Sequence, residues 1–117
     1  MSIFTIISAI LVALEFFYIM YLETFATASK ITARVFNMTQ EELERESVNN
    51  LFKNQGVYNG LIAVLVLLAV FTQDSFWMAI FMIYIILVAA YGAMTSDLKI
   101  LFKQGGLAIL TLISLFF

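Results

Sequence analysis

The sequence predicts an all-α membrane protein of four transmembrane helices, both termini outside, with an amphipathic cytoplasmic helix between the first two spans. Three observations carry that expectation. Hydrophobic residues make up 63% of the chain and charged residues 12%, against about 45–50% and about 25% in soluble domains. Mean hydropathy is +1.02. The apolar residues gather into runs of about twenty, and a helix of that length covers the roughly 30 Å of a bilayer's hydrocarbon core. The third observation is the placing of the basic residues along the chain.

The first span is expected over residues 3–22, with a single acid, Glu15, inside it. A carboxylate at such a place costs about 2.5–3.5 kcal/mol unless it is protonated or paired. Cleavage after Ala28 as a signal peptide is disfavoured, because no Lys or Arg precedes the run and the run is too long. Residues 24–53 form a polar segment in which Thr39-Gln40-Glu41-Glu42 has the form of a capping box. Leu43, Val48, Leu51 and Phe52 then recur at helical spacing, which reads as a surface helix leading into the second span. That span is expected over 54–72. Gln73-Asp74-Ser75 is a turn whose Asp or Ser can cap the third span, expected over 76–94 with Trp77 at the interface. Thr95-Ser96-Asp97 is a second capped turn. The last span needs residues 98–117, with Lys99 and Lys103 reaching back to the surface.

The first connection carries Lys30, Arg34, Arg45 and Lys53, the third Lys99 and Lys103, and the second none of the six basic residues. Connections one and three therefore face the cytoplasm. By length the chain is one domain, 1–117. It holds no His and no Cys, which removes thiolate chemistry, disulfides, metal sites built on those ligands and His-based triads. No cofactor and no metal are expected. A net charge of −2 gives no footprint for nucleic acid.

By this topology the polar groups meet in the inner half of the membrane. Glu15 lies about 12 Å from the cytoplasmic end of span one, and Asn59 about 9 Å inside span two. Ser8, Val12, Glu15, Ile19 and Leu22 form a stripe on the first helix, while Gln55 and Asn59 share a face of the second. The candidate ligand-binding or proton-exchanging residues are Glu15, Asn59, Gln55, Tyr18, Tyr58, Tyr91 and Gln104. Glu23 reads as an interfacial end residue, solvated or paired with Lys. Gly56 and Gly60 form a G-x-x-x-G that admits a close helix, within the chain or in a homo-oligomer. Gly92, Gly105 and Gly106 are expected at helix contacts too.

Ala13-Leu14-Glu15, Tyr21-Leu22-Glu23, Val35-Phe36, the stretch from Asn54-Gln55-Gly56 to Val57-Tyr58-Asn59-Gly60, Tyr91-Gly92-Ala93-Met94-Thr95 and Gln104-Gly105-Gly106-Leu107-Ala108 resemble, in order, the small integral membrane proteins grouped as domain of unknown function 1304. The N-Q-G-x-Y-N-G stretch is the most specific part. The resemblance implies a four-helix protein of the bacterial plasma membrane and brings no activity with it. The family pattern often has a His directly after the first Glu and a Pro in the last motif. Phe16 and Gly106 stand there in this chain, so a mechanism using that His is in doubt.

Three functions compete. One is a small transporter or binding protein for a lipophilic or cationic solute, with Glu15 as the proton-exchanging or cation-pairing group. Its layout is similar to that of the small multidrug-resistance transporters, without their internal motifs or the weak charge bias of their dual-topology dimers. Another is a structural or interaction protein whose polar cluster only stabilises the bundle. An enzyme acting on lipid or quinone ranks last. Glu15 and Glu23 sit about 12 Å apart along the helix and about 80° apart around it, too far to serve one bond.

Overall fold

The computed structural model describes residues 1–96 and 98–117, with Ile100 by its backbone alone. Among these residues the chain is helical and holds no strand. Helix α1 (Ile3–Met20) continues into a π-helical stretch (Tyr21–Phe25), followed by α2 (Lys30–Val35), α3 (Gln40–Glu44), α4 (Glu46–Phe71), α5 (Ser75–Thr95) and α6 (Lys99–Ser114). Among the described residues, three helical runs are long and apolar enough to cross a membrane: Ile3–Phe25, Glu46–Phe71 and Ser75–Thr95. The chain divides into two compact units, one of Met1–Glu15 with Val64–Phe117 and one of Phe16–Ala63.

In the first unit, α1 buries Thr5, Ser8, Ala9, Val12 and Ala13 and leaves Ile3, Phe4, Ile7, Leu11 and Leu14 uncovered. Small and hydroxylated residues inward, large apolar ones outward, is the reverse of a helix built for water. That pattern is compatible with a helix in hydrocarbon, where an uncovered leucine carries no penalty and close packing and interhelical hydrogen bonds hold helices together. The Thr5 and Ser114 hydroxyls are 2.7 Å apart, and the Thr111 hydroxyl donates to that of Ser8 at 2.9 Å. The order of these two pairs makes α6 antiparallel to α1. On α5, Met78, Met82, Ile85 and Ala89 are buried one turn apart. Gly105 of α6 meets Ala89, whose Cβ would lie 3.3 Å from a methyl added at the glycine.

The turn between α4 and α5 is closed by two hydrogen bonds. Gln73 takes φ 54°, the Asp74 N–H donates to Ala69 C=O at 3.0 Å and the Gln73 N–H to Val70 C=O at 3.1 Å, the Schellman pattern of a helix end. Asp74 then caps α5 as expected, its carboxylate accepting from the Trp77 N–H at 3.1 Å. The expected capping role of Asp97 lies outside the described residues. Helix α6 is shorter than the expected 98–117: it is 16 residues long and ends at Ser114.

The second unit departs further from expectation. The first span does not end at Leu22 but runs on to Phe25 through the π-helical stretch, closed by the Ala26 N–H on Tyr21 C=O at 2.9 Å. The polar segment then folds into α2, which the sequence does not announce. Ser29 caps it, accepting from the Thr32 N–H, and Asn37 ends it at φ 55° with the Met38 N–H on Ala33 C=O at 2.9 Å. The Thr39 capping box is present, and the Thr39 backbone N–H holds the Glu42 carboxyl below its usual range.

The helix expected to run on from Thr39 to residue 53 is broken. Arg45 adopts an extended ψ of 131°, Leu43 turns inward to full burial, and the Asn49 side-chain amide donates to the freed Leu43 C=O at 3.1 Å. The physical reason is that Leu43 is buried while Leu51 is not, so one straight amphipathic face does not form. Residues 46–53 instead become the first two turns of α4.

Candidate functional site

Helix α4 approaches the end of the run Ile3–Phe25 through two glycines. A methyl at Gly56 would overlap the Thr24 hydroxyl and lie 3.0 Å from the Thr24 backbone nitrogen and 3.1 Å from Glu23 Cβ, while one at Gly60 would overlap the Met20 thioether. Without these side chains, α4 lies against the backbone of the π-helical stretch. The Thr24 hydroxyl donates to Lys53 C=O at 3.0 Å across the same contact.

This approach puts Glu23 out of reach of solvent, with 0% of its surface exposed. Its carboxylate accepts two amide hydrogen bonds from one face of α4: Gln55 Nε2 to Oε2 at 2.6 Å and Asn59 Nδ2 to Oε1 at 2.5 Å. Among the described residues, no Lys or Arg takes part. The surrounding hydroxyls satisfy the backbone of the same stretch. Thr27 donates to Glu23 C=O at 2.7 Å, and Thr32, fully buried, donates to Leu22 C=O at 3.1 Å and Ala26 C=O at 2.7 Å. A π-helical end leaves carbonyls that an apolar environment cannot satisfy, and threonines supply the donors.

The expected partnership is therefore corrected. Gln55 and Asn59 do share a face, and the acid they hold is Glu23, which is a sealed internal acid and not a solvated end. Ser8, Val12, Ile19 and Leu22 of the expected stripe are buried, whereas Glu15 is only half-buried. One oxygen of Glu15, Oε1, is nevertheless enclosed and has no hydrogen-bond partner. Such an orphan is rare, because an unmet buried polar atom costs about 1–3 kcal/mol. Tyr18, Tyr58 and Tyr91 turn outward and are 51%, 71% and 69% exposed. Tyr18 and Tyr58 take no part in holding Glu23, and Gln104 is half-buried on α6. Gly92 is half-buried near the end of α5, and Gly106, expected at a helix contact, has nothing within 4 Å of an added methyl. Among the described residues, no group of acids could hold a metal ion.

The feature that sequence reasoning missed is the role of Glu23. The signal was present in its spacing: Thr5, Val12, Phe16, Ile19 and Glu23 follow a 3.6-residue period, and all five are buried.

Comparison with known proteins agrees with the motifs. The model of a family described as "Protein of unknown function (DUF1304)" matches residues 10–116, a range that takes in Glu15, Glu23, Gln55 and Asn59. The chain is 63% identical over 119 residues to the uncharacterized protein YpaA of Lactococcus lactis subsp. lactis (strain IL1403), covering 100% of both. No solved structure matches. With a family model that covers nearly the whole chain and a relative that is similar from end to end, this protein belongs to the DUF1304 family.

Proposed function

We propose that the chain is a multi-pass protein of the bacterial plasma membrane that binds or carries a lipophilic cation at Glu15. The observation that carries this reading is the enclosed, unpartnered Oε1 of Glu15, set beside amides already committed to Glu23. An acid with an enclosed, unpartnered oxygen is suited to pair with a cation or exchange a proton, whereas a satisfied one is suited to hold helices together.

The reading includes four crossings with both termini outside. Helix α6 has 16 residues, about 24 Å at the helical rise, but its antiparallel pairing with α1 through Thr5–Ser114 and Ser8–Thr111 supports its crossing alongside that span. The N-terminal amine lies 3.3 Å from Gln73 Oε1, which supports a common side for the N-terminus and the α4–α5 turn, the connection without basic residues. Since the chain holds no cysteine, single-cysteine variants report topology directly. Cysteine at Gln73 is expected to react with an impermeant maleimide in intact cells, and cysteine at Asn37 only after permeabilisation. The reverse pattern overturns the orientation.

Binding is tested with tetraphenylphosphonium on the purified protein in liposomes, with uptake followed under an imposed pH gradient. Glu15→Gln is expected to abolish saturable binding and uptake, and Gln55→Leu to leave both in place. Unchanged uptake in Glu15→Gln, or no binding by the wild-type protein, overturns the reading. The structural alternative, favoured by the sealed Glu23 contact, then stands in its place.

A further inference from the structure

The segment after the first span has a face that packing within the chain does not use. Helix α2 is fixed to the end of that span by the Thr32 hydroxyl, bonded to Leu22 C=O and Ala26 C=O at 3.1 and 2.7 Å. Thr32 and Ala33 therefore point inward, at 0% and 9% exposure. Lys30, Ile31, Arg34 and Val35 occupy the opposite arc and are all exposed. Lys30 and Arg34 stand one turn apart, as do Ile31 and Val35, so a cationic edge lies beside an aliphatic edge. Among the described residues neither Lys30 nor Arg34 has a carboxylate within ion-pair distance. The acids of the segment, Glu41, Glu42, Glu44 and Glu46, follow only after the left-handed turn at Asn37, and Glu23 is sealed by its amides.

We propose that the exposed face of α2 binds the phosphate headgroups of anionic phospholipid, with Lys30 and Arg34 on the phosphates and Ile31 and Val35 in the acyl boundary. The inference rests on the membrane reading of Ile3–Phe25. Given that reading, α2 stays in the headgroup layer, since the buried Thr32 hydroxyl, its one proton shared between Leu22 C=O and Ala26 C=O, ties it to the end of a span. A cationic and aliphatic face held at that level is complementary to a negatively charged leaflet. The same side chains on a free loop would carry no such inference.

The test uses the full chain in zwitterionic detergent, titrated with phosphatidylglycerol or phosphatidylcholine. Bound lipid is counted by native mass spectrometry, and thermal unfolding is followed in parallel. Wild-type protein is expected to retain phosphatidylglycerol over phosphatidylcholine by about fivefold or more, with the preference falling as salt rises. Lys30→Gln/Arg34→Gln is expected to lose the preference, Lys103→Gln to keep it, and Ile31→Ser/Val35→Ser to weaken retention of both lipids. An undiminished preference in the Lys30/Arg34 variant overturns the proposal. So does equal protection by inorganic phosphate, which would make the face a free-anion site. Extraction of membranes with alkaline carbonate separates the two levels of failure. Protein released into the supernatant sinks the membrane reading itself, whereas protein retained without lipid preference sinks only this inference.

Discussion

Gly56→Ala is expected to destabilise the protein by about 2 kcal/mol or more, although alanine is the better helix former. In an open helix interior the exchange would gain up to about 1 kcal/mol. At Gly56 the new methyl meets the Thr24 hydroxyl, the Thr24 backbone nitrogen and Glu23 Cβ. The last two belong to a π-helical stretch whose carbonyls are already held by Thr27 and Thr32, so neither gives way cheaply, and overpacking of this kind costs about 1–3 kcal/mol. The neighbouring glycines supply the controls. At Gly60 the obstacle is the Met20 thioether, the flexible end of a side chain, and Gly60→Ala is expected to be close to neutral. At Gly106 nothing lies within 4 Å, and Gly106→Ala is expected to stabilise. Loss of helical circular dichroism on titration with denaturing detergent measures all three. A common sign for Gly56→Ala and Gly106→Ala would show that helix propensity, not the close approach, governs these positions.

The second large effect is expected at the amide contact on Glu23. Asn59→Leu removes the donor to Oε1 and leaves a fully buried oxygen that water cannot reach, a loss of about 2 kcal/mol. That exceeds the roughly 0.6 kcal/mol average for interhelical hydrogen bonds in membranes, because those averages include groups that find other partners. Gln55→Leu is expected to lose less, about 1 kcal/mol: Gln55 is exposed, so water or a headgroup can replace its amide. Glu23→Gln keeps one acceptor and obliges one neighbour to turn its carbonyl toward the new NH2 group, which is expected to cost about 1 kcal/mol. The decisive measurement is the double-mutant cycle of Glu23→Ala with Asn59→Leu in the same denaturation assay. Coupling of about 1–2 kcal/mol is expected for groups in direct contact. Strict additivity would mean that the hydrogen bond contributes nothing to stability.

These two expectations concern an acid that sequence reasoning placed at a water-facing end. At roughly 100° per residue Glu15 stands about 80° from Thr5 around the helix, and Glu23 lies past Met20, where the chain turns π-helical and the ideal period no longer holds. The stripe from Ser8 through Val12, Glu15 and Ile19 to Leu22 is drawn at the same angle per residue, and its other four members are buried, so spacing along one helix does not choose between the two acids.

Taken alone, the sequence determined what depends on neighbours along the chain. The all-helical class and the three long apolar runs follow from hydropathy and length, because a spanning segment must satisfy its own backbone. The Thr39 capping box and the Asp74 cap follow from residues three positions apart. The tertiary structure decided what depends on distant groups meeting. Gly56 admits α4 against Thr24, which puts Gln55 and Asn59 within reach of Glu23. The Thr32 hydroxyl reaches back ten positions to Leu22 and fixes α2, and the burial of Leu43 breaks a helix that local spacing would have continued. In each case a side chain met a backbone or carboxylate group remote in sequence, and no local pattern encodes that meeting.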